Sequence, residues 1–211
     1  MTRIKICGLT RMEDIDSVNR YQPEYIGFIF APKSRRYVTP EKAKQLAAGL
    51  KCGIQSVGVF TQANVDEIIR IAESVPLNVV QLHGMQSENM VQDLRSALPE
   101  GVQIWYCVAA ENGTVVFPEL DHIVDLWLVD TAAGGSFGGT GKTFDWMKAK
   151  MFLRDRKIIL AGGLNPENIA QAVSCLHPYA VDVSTGVETN GFKEEEKIKQ
   201  FVTAVRNGSG E

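Results

Sequence analysis

The sequence predicts a single-domain α/β fold, a closed (β/α)8 barrel of eight parallel strands. Short apolar runs alternate with amphipathic stretches along the chain, which is the pattern of repeated βα units. The 211 residues suffice for one small barrel of this kind. No Pro/Gly/Ser-rich linker and no shift in composition divides the chain. We therefore expect one domain over residues 1–211, with residues 207–211 (NGSGE) forming a flexible tail.

Eight apolar runs rich in β-branched and aromatic residues are the predicted strands. In chain order they are RIKIC (3–7), YIGFIF (25–30), SVGVF (56–60), VVQLH (79–83), QIWYCV (103–108), LWLVD (126–130), KIILAG (157–162) and AVDVST (180–185).

Five connections between these runs space their apolar residues as helices do. We expect Asn64, Ser87 and Asn165 to be N-caps, and Pro40 and Pro166 to take the first helical position. The connection over residues 109–125 has the weakest helical pattern. The five predicted helices are PEKAKQLAAGL (40–50), NVDEIIRIAESV (64–75), SENMVQDLRSAL (87–98), NPENIAQAVSCL (165–176) and EEEKIKQFVTAVR (194–206).

Composition and charge are those of an ordinary soluble globular protein, with 45% hydrophobic residues and a formal net charge of -3. This balance does not favour a nucleic acid or a membrane as partner. The N-terminus becomes charged before any apolar stretch long enough for a signal peptide, and no segment approaches the roughly 20 apolar residues of a membrane span. We therefore expect a cytoplasmic protein.

The four cysteines lie far apart, with no CxxC pair and no histidine at metal-ligand spacing, so neither a zinc site nor a disulfide framework is expected. Cys52 and Cys175 are interpreted as small buried hydrophobic residues. That interpretation is weaker for Cys107, which lies near the end of a predicted strand. Cys7 ends the first strand, directly before a glycine, a position that is compatible with either packing or chemistry.

Polar residues concentrate near the ends of four predicted strands. In a (β/α)8 barrel these ends meet at one rim, where active sites lie, and residues two apart on a strand share a face. Core packing does not explain them, because a buried polar group without a partner is unfavourable. The residues are Cys7, Gln81 with His83, Asp130, and Asp182 with Ser184.

Two glycine-rich turns follow the last two strands and predict a phosphate site. Gly162 and Gly163 lie in LAGGLNPENI, and Ser184, Thr185 and Gly186 lie in VSTGVETNGF. Backbone amides in such turns bind phosphate, and barrels commonly hold this site after strands 7 and 8. The alternative is that these are tight turns that only close helices onto the barrel.

The segment GGSFGGTGKTFDW (134–146) resembles the end of a P-loop, but Ser136 stands where that motif requires glycine. A glycine-hinged loop that covers a ligand explains this segment better than a nucleotide hydrolase does.

The loop FAPKSRRYVTP, after the second strand, is basic. It is either a solvated turn or the place where an arginine binds a substrate carboxylate with two parallel hydrogen bonds.

Taken in order, KICGLT, SRRYV, VGVF, VVQLHG, LVD with GGTGKTFDW, LAGGLNPENI and DVSTGVE resemble the phosphoribosylanthranilate isomerase family. The resemblance runs from the first strand to the last helix. It implies a (β/α)8 barrel that converts N-(5-phosphoribosyl)anthranilate into 1-(2-carboxyphenylamino)-1-deoxyribulose 5-phosphate in tryptophan biosynthesis. It also implies that no metal or organic cofactor is needed, and it leaves room for other tryptophan-pathway enzymes as partners.

The resemblance further implies a role for each rim residue. Cys7 matches the family's general base, Asp130 its general acid and Arg36 the arginine that faces the anthranilate carboxylate. Asp182 matches an aspartate near the reacting ribose carbons. Gln81 and His83 match pocket-lining residues, for which we favour positioning roles. The amides of Gly163, Thr185 and Gly186, in the turns that also contain Gly162 and Ser184, match the phosphate site.

The chain departs from the family pattern in three places. Arg35 stands where a proline is common, so it competes with Arg36 for the carboxylate. After the eighth strand, Thr185 stands where a serine is common, and Asn190 with Gly191 stands where a Pro-Gly is common. The end of the fifth strand, WYCVAAE, matches the family poorly, so Cys107 receives no role. Other readings also stay open: a phosphosugar epimerase or indole-glycerol-phosphate synthase, a phosphate-ligand binding protein without catalysis, and the related aminoaldose isomerisation of histidine synthesis. An epimerase would be expected to carry metal-binding histidines, and indole-glycerol-phosphate synthase a lysine-glutamate set at the strand ends. The aminoaldose of histidine synthesis carries two phosphates.

Overall fold

The computed structural model describes residues 1–84, 86–111, 114–130 and 156–208. Eight parallel strands close into a barrel, because each strand pairs with the next along the chain and the last pairs with the first. This confirms the predicted fold class. The strands are β1 (Arg3–Cys7), β2 (Tyr25–Ile29), β3 (Gln55–Phe60), β4 (Val79–His83), β5 (Gln103–Glu111), β6 (Leu126–Asp130), β7 (Ile158–Ala161) and β8 (Ala180–Val183).

Six helices lie in the described part of the chain, and two of the predicted N-caps are present. Asn64 accepts a hydrogen bond from the backbone of Glu67 at 2.9 Å, and Ser87 accepts one from the backbone of Met90 at 3.3 Å. Pro40 takes the first helical position as predicted. The helices are α1 (Met12–Tyr21), α2 (Pro40–Ala47), α3 (Val65–Ser74), α4 (Glu88–Ala97), α5 (Ile169–Leu176) and α6 (Glu195–Gly208).

Helix α1 lacks the usual capping signal in the sequence, because its N-cap position is Arg11 rather than Ser, Thr, Asn or Asp. The backbone N–H groups at the start of the helix instead find a hydrogen-bond acceptor inside the helix itself. The carboxylate of Asp14 accepts hydrogen bonds from the backbone N–H groups of Thr10 at 2.8 Å and Arg11 at 3.0 Å. An acidic side chain in the first turn therefore caps the helix.

The prediction that Asn165 caps α5 with Pro166 at its first position was wrong. The helix begins at Ile169, and Asn168 is its N-cap. The side-chain oxygen of Asn165 accepts hydrogen bonds from the backbone of Glu167 at 2.9 Å and Asn168 at 3.1 Å, which forms a separate turn before the helix.

The weak helical pattern over residues 109–125 corresponds to no helix in the described residues. β5 continues to Glu111, and its end pairs with the short antiparallel strand Thr114–Val115. α6 extends to Gly208, so the first two residues of the predicted tail are helical. The glycine-rich segment 134–146 and the last residues of the tail lie outside the described residues.

Cys52 is exposed, so its interpretation as a buried residue was wrong. It lies in the turn between α2 and β3 rather than in either element. Cys175 is partly buried and packs against the core.

Two apolar layers position the site. Alternate residues of each strand face the helices or the barrel interior. On β1, Ile4 and Ile6 belong to the layer between strands and helices, whereas Cys7 belongs to the interior cluster with Val57, Trp105 and other residues. Lys5, between the two isoleucines, shares the interior face with Cys7. Across the described ranges, no helix is both long enough and apolar enough to cross a membrane.

Candidate active site

The rim at the carboxyl ends of the strands holds every residue predicted from the sequence for the site. Cys7, His83 and Asp130 are the last residues of β1, β4 and β6. Gln81 lies two residues before the end of β4, and Asp182 lies one residue before the end of β8. The loops that leave this rim carry the others: Arg36 after β2, Gly162 and Gly163 after β7, and Ser184, Thr185 and Gly186 after β8.

The thiol of Cys7 is buried, with 6% of the residue exposed, in a space that a glycine leaves open. Cys7 lies next to Gly27 in the register of β1 and β2, and a Cβ atom on Gly27 would lie 2.7 Å from its Sγ. Burial raises the pKa of the thiol, and the ammonium groups of Lys5 and Lys193 act against this rise without cancelling it. A thiolate at Cys7 therefore needs more positive charge than these residues supply.

Lys5, which is not among the residues predicted for the site, forms an ion pair with Asp182, with 2.9 Å between Nζ and Oδ2. Lys5 is completely buried. Burial alone would lower its pKa, but the Asp182 carboxylate and the Cys7 thiol outweigh that effect and raise the pKa. The signal was available, because Lys5 precedes Cys7 by two residues and so shares its face of the strand.

Cys107, on β5, interacts electrostatically with both acidic groups of the site. Burial raises the pKa of its thiol far above the usual range, and the carboxylates of Asp130 and Asp182 add to the effect. The charges of both carboxylates therefore disfavour the thiolate form of Cys107 in the barrel interior. Cys107 itself stays protonated and forms a small buried part of the wall, as its default interpretation predicted.

Three buried side-chain acceptor atoms lack a hydrogen-bond partner among the described residues. Two belong to strands of the barrel, Oε1 of Gln81, whose residue is 2% exposed, and Oδ1 of Asp182; the third is Oε1 of Gln86, in the loop before α4. Such atoms are unfavourable in a folded protein unless a ligand or water satisfies them. Hydroxyl groups of a sugar are suitable donors. His83, by contrast, is exposed at the end of β4.

Glu188, also missed from the sequence, organises the basic groups near the β2 loop. Arg36 donates to its Oε1 from Nε at 2.6 Å and to its Oε2 from Nη2 at 3.1 Å. Arg35 donates to Oε2 at 2.6 Å and Lys193 donates to Oε1 at 2.8 Å. The arrangement holds the pKa of Glu188 below its usual value despite burial, and it surrounds one carboxylate with three cations.

Arg36 is better placed than Arg35 to reach the barrel mouth. Its side chain is 16% exposed against 59% for Arg35. A Cβ atom on Gly8 would overlap Cδ of Arg36, so the arginine lies directly over the backbone that follows Cys7. Nε and one Nη2 proton of Arg36 bind Glu188. Among the described residues, both Nη1 protons and the second Nη2 proton are left for another anion.

The two glycine-rich turns are in direct contact. Gly162 and Gly163 have φ angles of 92° and 65°, the left-handed conformation that favours glycine. A Cβ atom on Gly186 would overlap the carbonyl oxygen of Leu164, so the two turns pack without space between them. Contact between the turns is what a shared phosphate site requires.

Hydrogen bonds tie the turn after β8 to the neighbouring parts of the site. Ser184 donates from Oγ to the carbonyl oxygen of Cys7 at 3.0 Å, and Lys193 donates to the carbonyl oxygen of Ser184 at 2.9 Å. Lys193 therefore joins this turn to Glu188. No local sequence signal marked Lys193, because it lies in a two-residue strand, Phe192–Lys193, that packs back on the site.

The model of the N-(5'-phosphoribosyl)anthranilate (PRA) isomerase family matches residues 4–204. The chain belongs to this family. An N-(5'-phosphoribosyl)anthranilate isomerase of Acetivibrio thermocellus is 44% identical over 217 residues, which cover 100% of this chain and 98% of that protein. The corresponding protein of Clostridium acetobutylicum is 43% identical, with 98% of each chain covered. Both similarities extend over the whole length, so the PRA isomerase family accounts for the entire barrel.

Solved structures of the PRA isomerase family share this architecture. TrpF from Jonesia denitrificans has a TM-score of 0.86 at 33% identity, covering 99% of this chain and 98% of its own. A PRA isomerase solved in complex with reduced 1-(o-carboxyphenylamino)-1-deoxyribulose 5-phosphate has a TM-score of 0.81 at 32% identity, covering 98% of this chain and 100% of its own.

Proposed function

We propose that this protein catalyses the Amadori rearrangement of N-(5-phosphoribosyl)anthranilate to 1-(2-carboxyphenylamino)-1-deoxyribulose 5-phosphate, in tryptophan biosynthesis, with Cys7 as general base and Asp130 as general acid. The observation that carries the proposal is the position of a buried thiol and a carboxylate at the ends of β1 and β6, on one rim of a PRA isomerase barrel. An isomerisation through proton transfer needs one group to donate a proton and another to accept one.

The reaction begins at the ribose ring. Asp130 donates a proton to the ring oxygen, the bond between C1 and that oxygen breaks, and a protonated Schiff base forms. Cys7, as thiolate, removes the proton from C2, and the resulting enolamine tautomerises to the aminoketose. The positive charge of the Schiff base lies close to the thiol at this step and favours the thiolate, in opposition to the effect of burial.

Binding of the substrate uses both of its anionic ends. Arg36 binds the anthranilate carboxylate with the protons that Glu188 leaves available. The amides of Gly163, Thr185 and Gly186 bind the phosphate, in the turns that also contain Gly162 and Ser184. Asp182 and Gln81 accept hydrogen bonds from the ribose hydroxyls, since each has a buried oxygen without a protein partner in the described structure. His83 lines the mouth as a positioning residue.

The test is the initial rate of loss of anthranilate-type fluorescence, with the substrate generated from anthranilate and phosphoribosyl pyrophosphate by a separate transferase. We expect Cys7→Ala and Asp130→Asn each to lower kcat about 10²- to 10⁴-fold, the usual contribution of a positioned acid or base. Cys52→Ala is the matched control, because this cysteine is exposed in the turn after α2. Turnover unaffected by Cys7→Ala would refute the mechanism, and a folded parent without turnover would refute the function.

The proposal includes the setting of the reaction. We propose a cytoplasmic enzyme whose partner is the small phosphosugar-anthranilate substrate and that associates with other tryptophan-pathway enzymes. The paired turns after β7 and β8 are the one phosphate site that we infer within the described residues, which favours this substrate over the aminoaldose of histidine synthesis, which has two phosphates. Turnover of that second substrate at a comparable rate would contradict the assignment.

A further inference from the structure

Lys5 is a charged side chain that the barrel interior holds at considerable expense in free energy. It is completely buried, and burial of an ammonium group is unfavourable unless charges and hydrogen bonds compensate. Its ion pair with Asp182, at 2.9 Å, provides part of that compensation. A lysine held in this way next to a proposed catalytic thiol raises the question of its chemical role.

Lys5, Cys7 and Asp182 form one cluster on two adjacent strands. Lys5 lies opposite Asp182 in the register of β1 and β8, and Cys7 lies two residues further along the same face of β1. The ammonium group hydrogen-bonds to Asp182 and also interacts with the thiol of Cys7. One cation therefore serves both the thiol and the carboxylate.

We propose that Lys5 is a positioning residue for catalysis, whose ammonium group stabilises the thiolate form of Cys7 while Asp182 fixes the ammonium group in place. When the S–H bond of Cys7 breaks, its proton leaves to solvent and Lys5 keeps its own proton. The inference rests on the proposed function, in which Cys7 acts as a base.

The charges around Cys7 are consistent with this role. Lys5 on its own strand and Lys193, next to the turn after β8, favour the thiolate, whereas Asp182 on β8 disfavours it. Cys107, on β5, is held in its neutral form. The effect of Lys5 on Cys7 exceeds that of Asp182, so the ion pair as a whole favours the thiolate. A lysine that only filled the interior would not need to lie close to the thiol of Cys7.

The experiment measures the thiolate directly, by the rate at which iodoacetamide alkylates Cys7 between pH 6 and pH 11, with peptide mass spectrometry to separate it from the other three cysteines. The Cys7→Ala variant identifies the peptide. We expect Lys5→Met to move the midpoint upward by about one pH unit or more, so that alkylation at pH 8 slows about tenfold. Lys5→Arg retains the charge and should recover most of the parent midpoint.

A double variant keeps the result decisive if Lys5→Met does not fold because Asp182 is left buried without its partner. Lys5→Met combined with Asp182→Asn removes both charges, and we still expect a midpoint above that of the parent. The matched control, Lys157→Met, removes a lysine whose charge faces the Tyr179 ring, and its midpoint should not move. An unchanged midpoint in a folded Lys5 variant overturns the proposal, as does failure of every Lys5 variant to fold.

Steady-state rates separate this inference from the proposed function. We expect the kcat of Lys5→Met to fall at pH 7 and to recover toward high pH, because the thiolate then forms without help. A parent protein that does not turn over the substrate would refute the proposed function, although the alkylation midpoint would still report on Lys5. Loss of activity in Cys7→Ala together with an unmoved midpoint in Lys5→Met would refute the inference alone.

Discussion

Gly27 and Cys7 are neighbours across β1 and β2, and a Cβ atom on Gly27 would lie 2.7 Å from the Sγ of Cys7. That separation is shorter than real Cβ contacts, so any side chain at position 27 displaces the thiol or the strand. The position of the proposed base therefore depends on a residue that takes no part in the chemistry.

The Gly27→Ala variant tests this dependence. We expect kcat to fall about 10- to 100-fold with a smaller change in KM, because a displacement near 1 Å at a reacting atom has effects of this order. The control is Gly208→Ala, where an added Cβ meets only ordinary contacts of 3.4 Å or more. Equal kcat values for the parent and the folded Gly27→Ala variant would show that the thiol does not need this position.

The contact between the two glycine-rich turns leads to a prediction about phosphate. In Gly186→Ala, the new Cβ would overlap the backbone oxygen of Leu164, so the turns must separate. We expect KM to rise at least about tenfold, as expected when hydrogen bonds to a charged ligand are lost. Inorganic phosphate should also become a weaker competitive inhibitor. Thr185→Ser keeps the hydroxyl and the backbone, and phosphate inhibition of that variant should match the parent.

The Glu188 carboxylate fixes the orientation of Arg36, and its replacement should weaken binding of the substrate carboxylate. In Glu188→Gln the two charge-assisted hydrogen bonds from Arg36 become weaker, and we expect KM to rise about tenfold while kcat changes less. Glu195→Gln, which removes an exposed partner of Arg20, is the control. Loss of kcat at constant KM would contradict the binding role.

The pKa of Glu188 also predicts how stability depends on pH. Its pKa is lower in the folded protein than its ordinary value of 4.5, so the stability that it contributes is present above that value and is lost as the pH falls through the folded pKa. We expect the free energy of unfolding of the parent in urea to decrease more between pH 5 and pH 3 than that of Glu188→Gln. The other carboxylates are common to both proteins, so parallel curves would contradict the prediction.

A prediction away from the site concerns the cap of α3. Asn64 accepts a hydrogen bond from the backbone of Glu67 at 2.9 Å, and Asn64→Ala should reduce the free energy of unfolding by about 1 kcal/mol. For a chain of this size that corresponds to a decrease in Tm of about 2–4 °C. The kcat should not change, and thermal unfolding with a parallel activity assay checks both statements. An unchanged Tm would show that water replaces the cap without loss.

How far the sequence predicts this protein depends on whether a contact is local. Strand bounds such as Arg3–Cys7 and Val79–His83, and the caps at Asn64 and Ser87, follow from patterns of a few residues, and the structure agrees with them. The start of α1 depends on a carboxylate inside the helix, which capping patterns do not include.

Long-range contacts in the site were less predictable. The rim residues could be grouped because the strands of a parallel barrel all end at one rim, a rule that needs only the order of the strands. Glu188 and Lys193 could not be placed, because their role depends on a chain reversal that brings them to Arg36, 152 residues away from Glu188 in sequence. Lys5 could be predicted in part. The alternation of side chains along β1 places it on the interior face, but its ion pair with Asp182 is known only from the structure.

The ion pair between Lys5 and Asp182 joins residues that are 177 positions apart. During synthesis on the ribosome, β1 emerges early, whereas Asp182, the counter-ion of Lys5, emerges only with β8. Until then the nascent chain carries a cation that it cannot bury favourably, which opposes premature closure of an incomplete barrel. The ion pair between Lys5 and Asp182 would thus also delay closure of the barrel until the chain is complete.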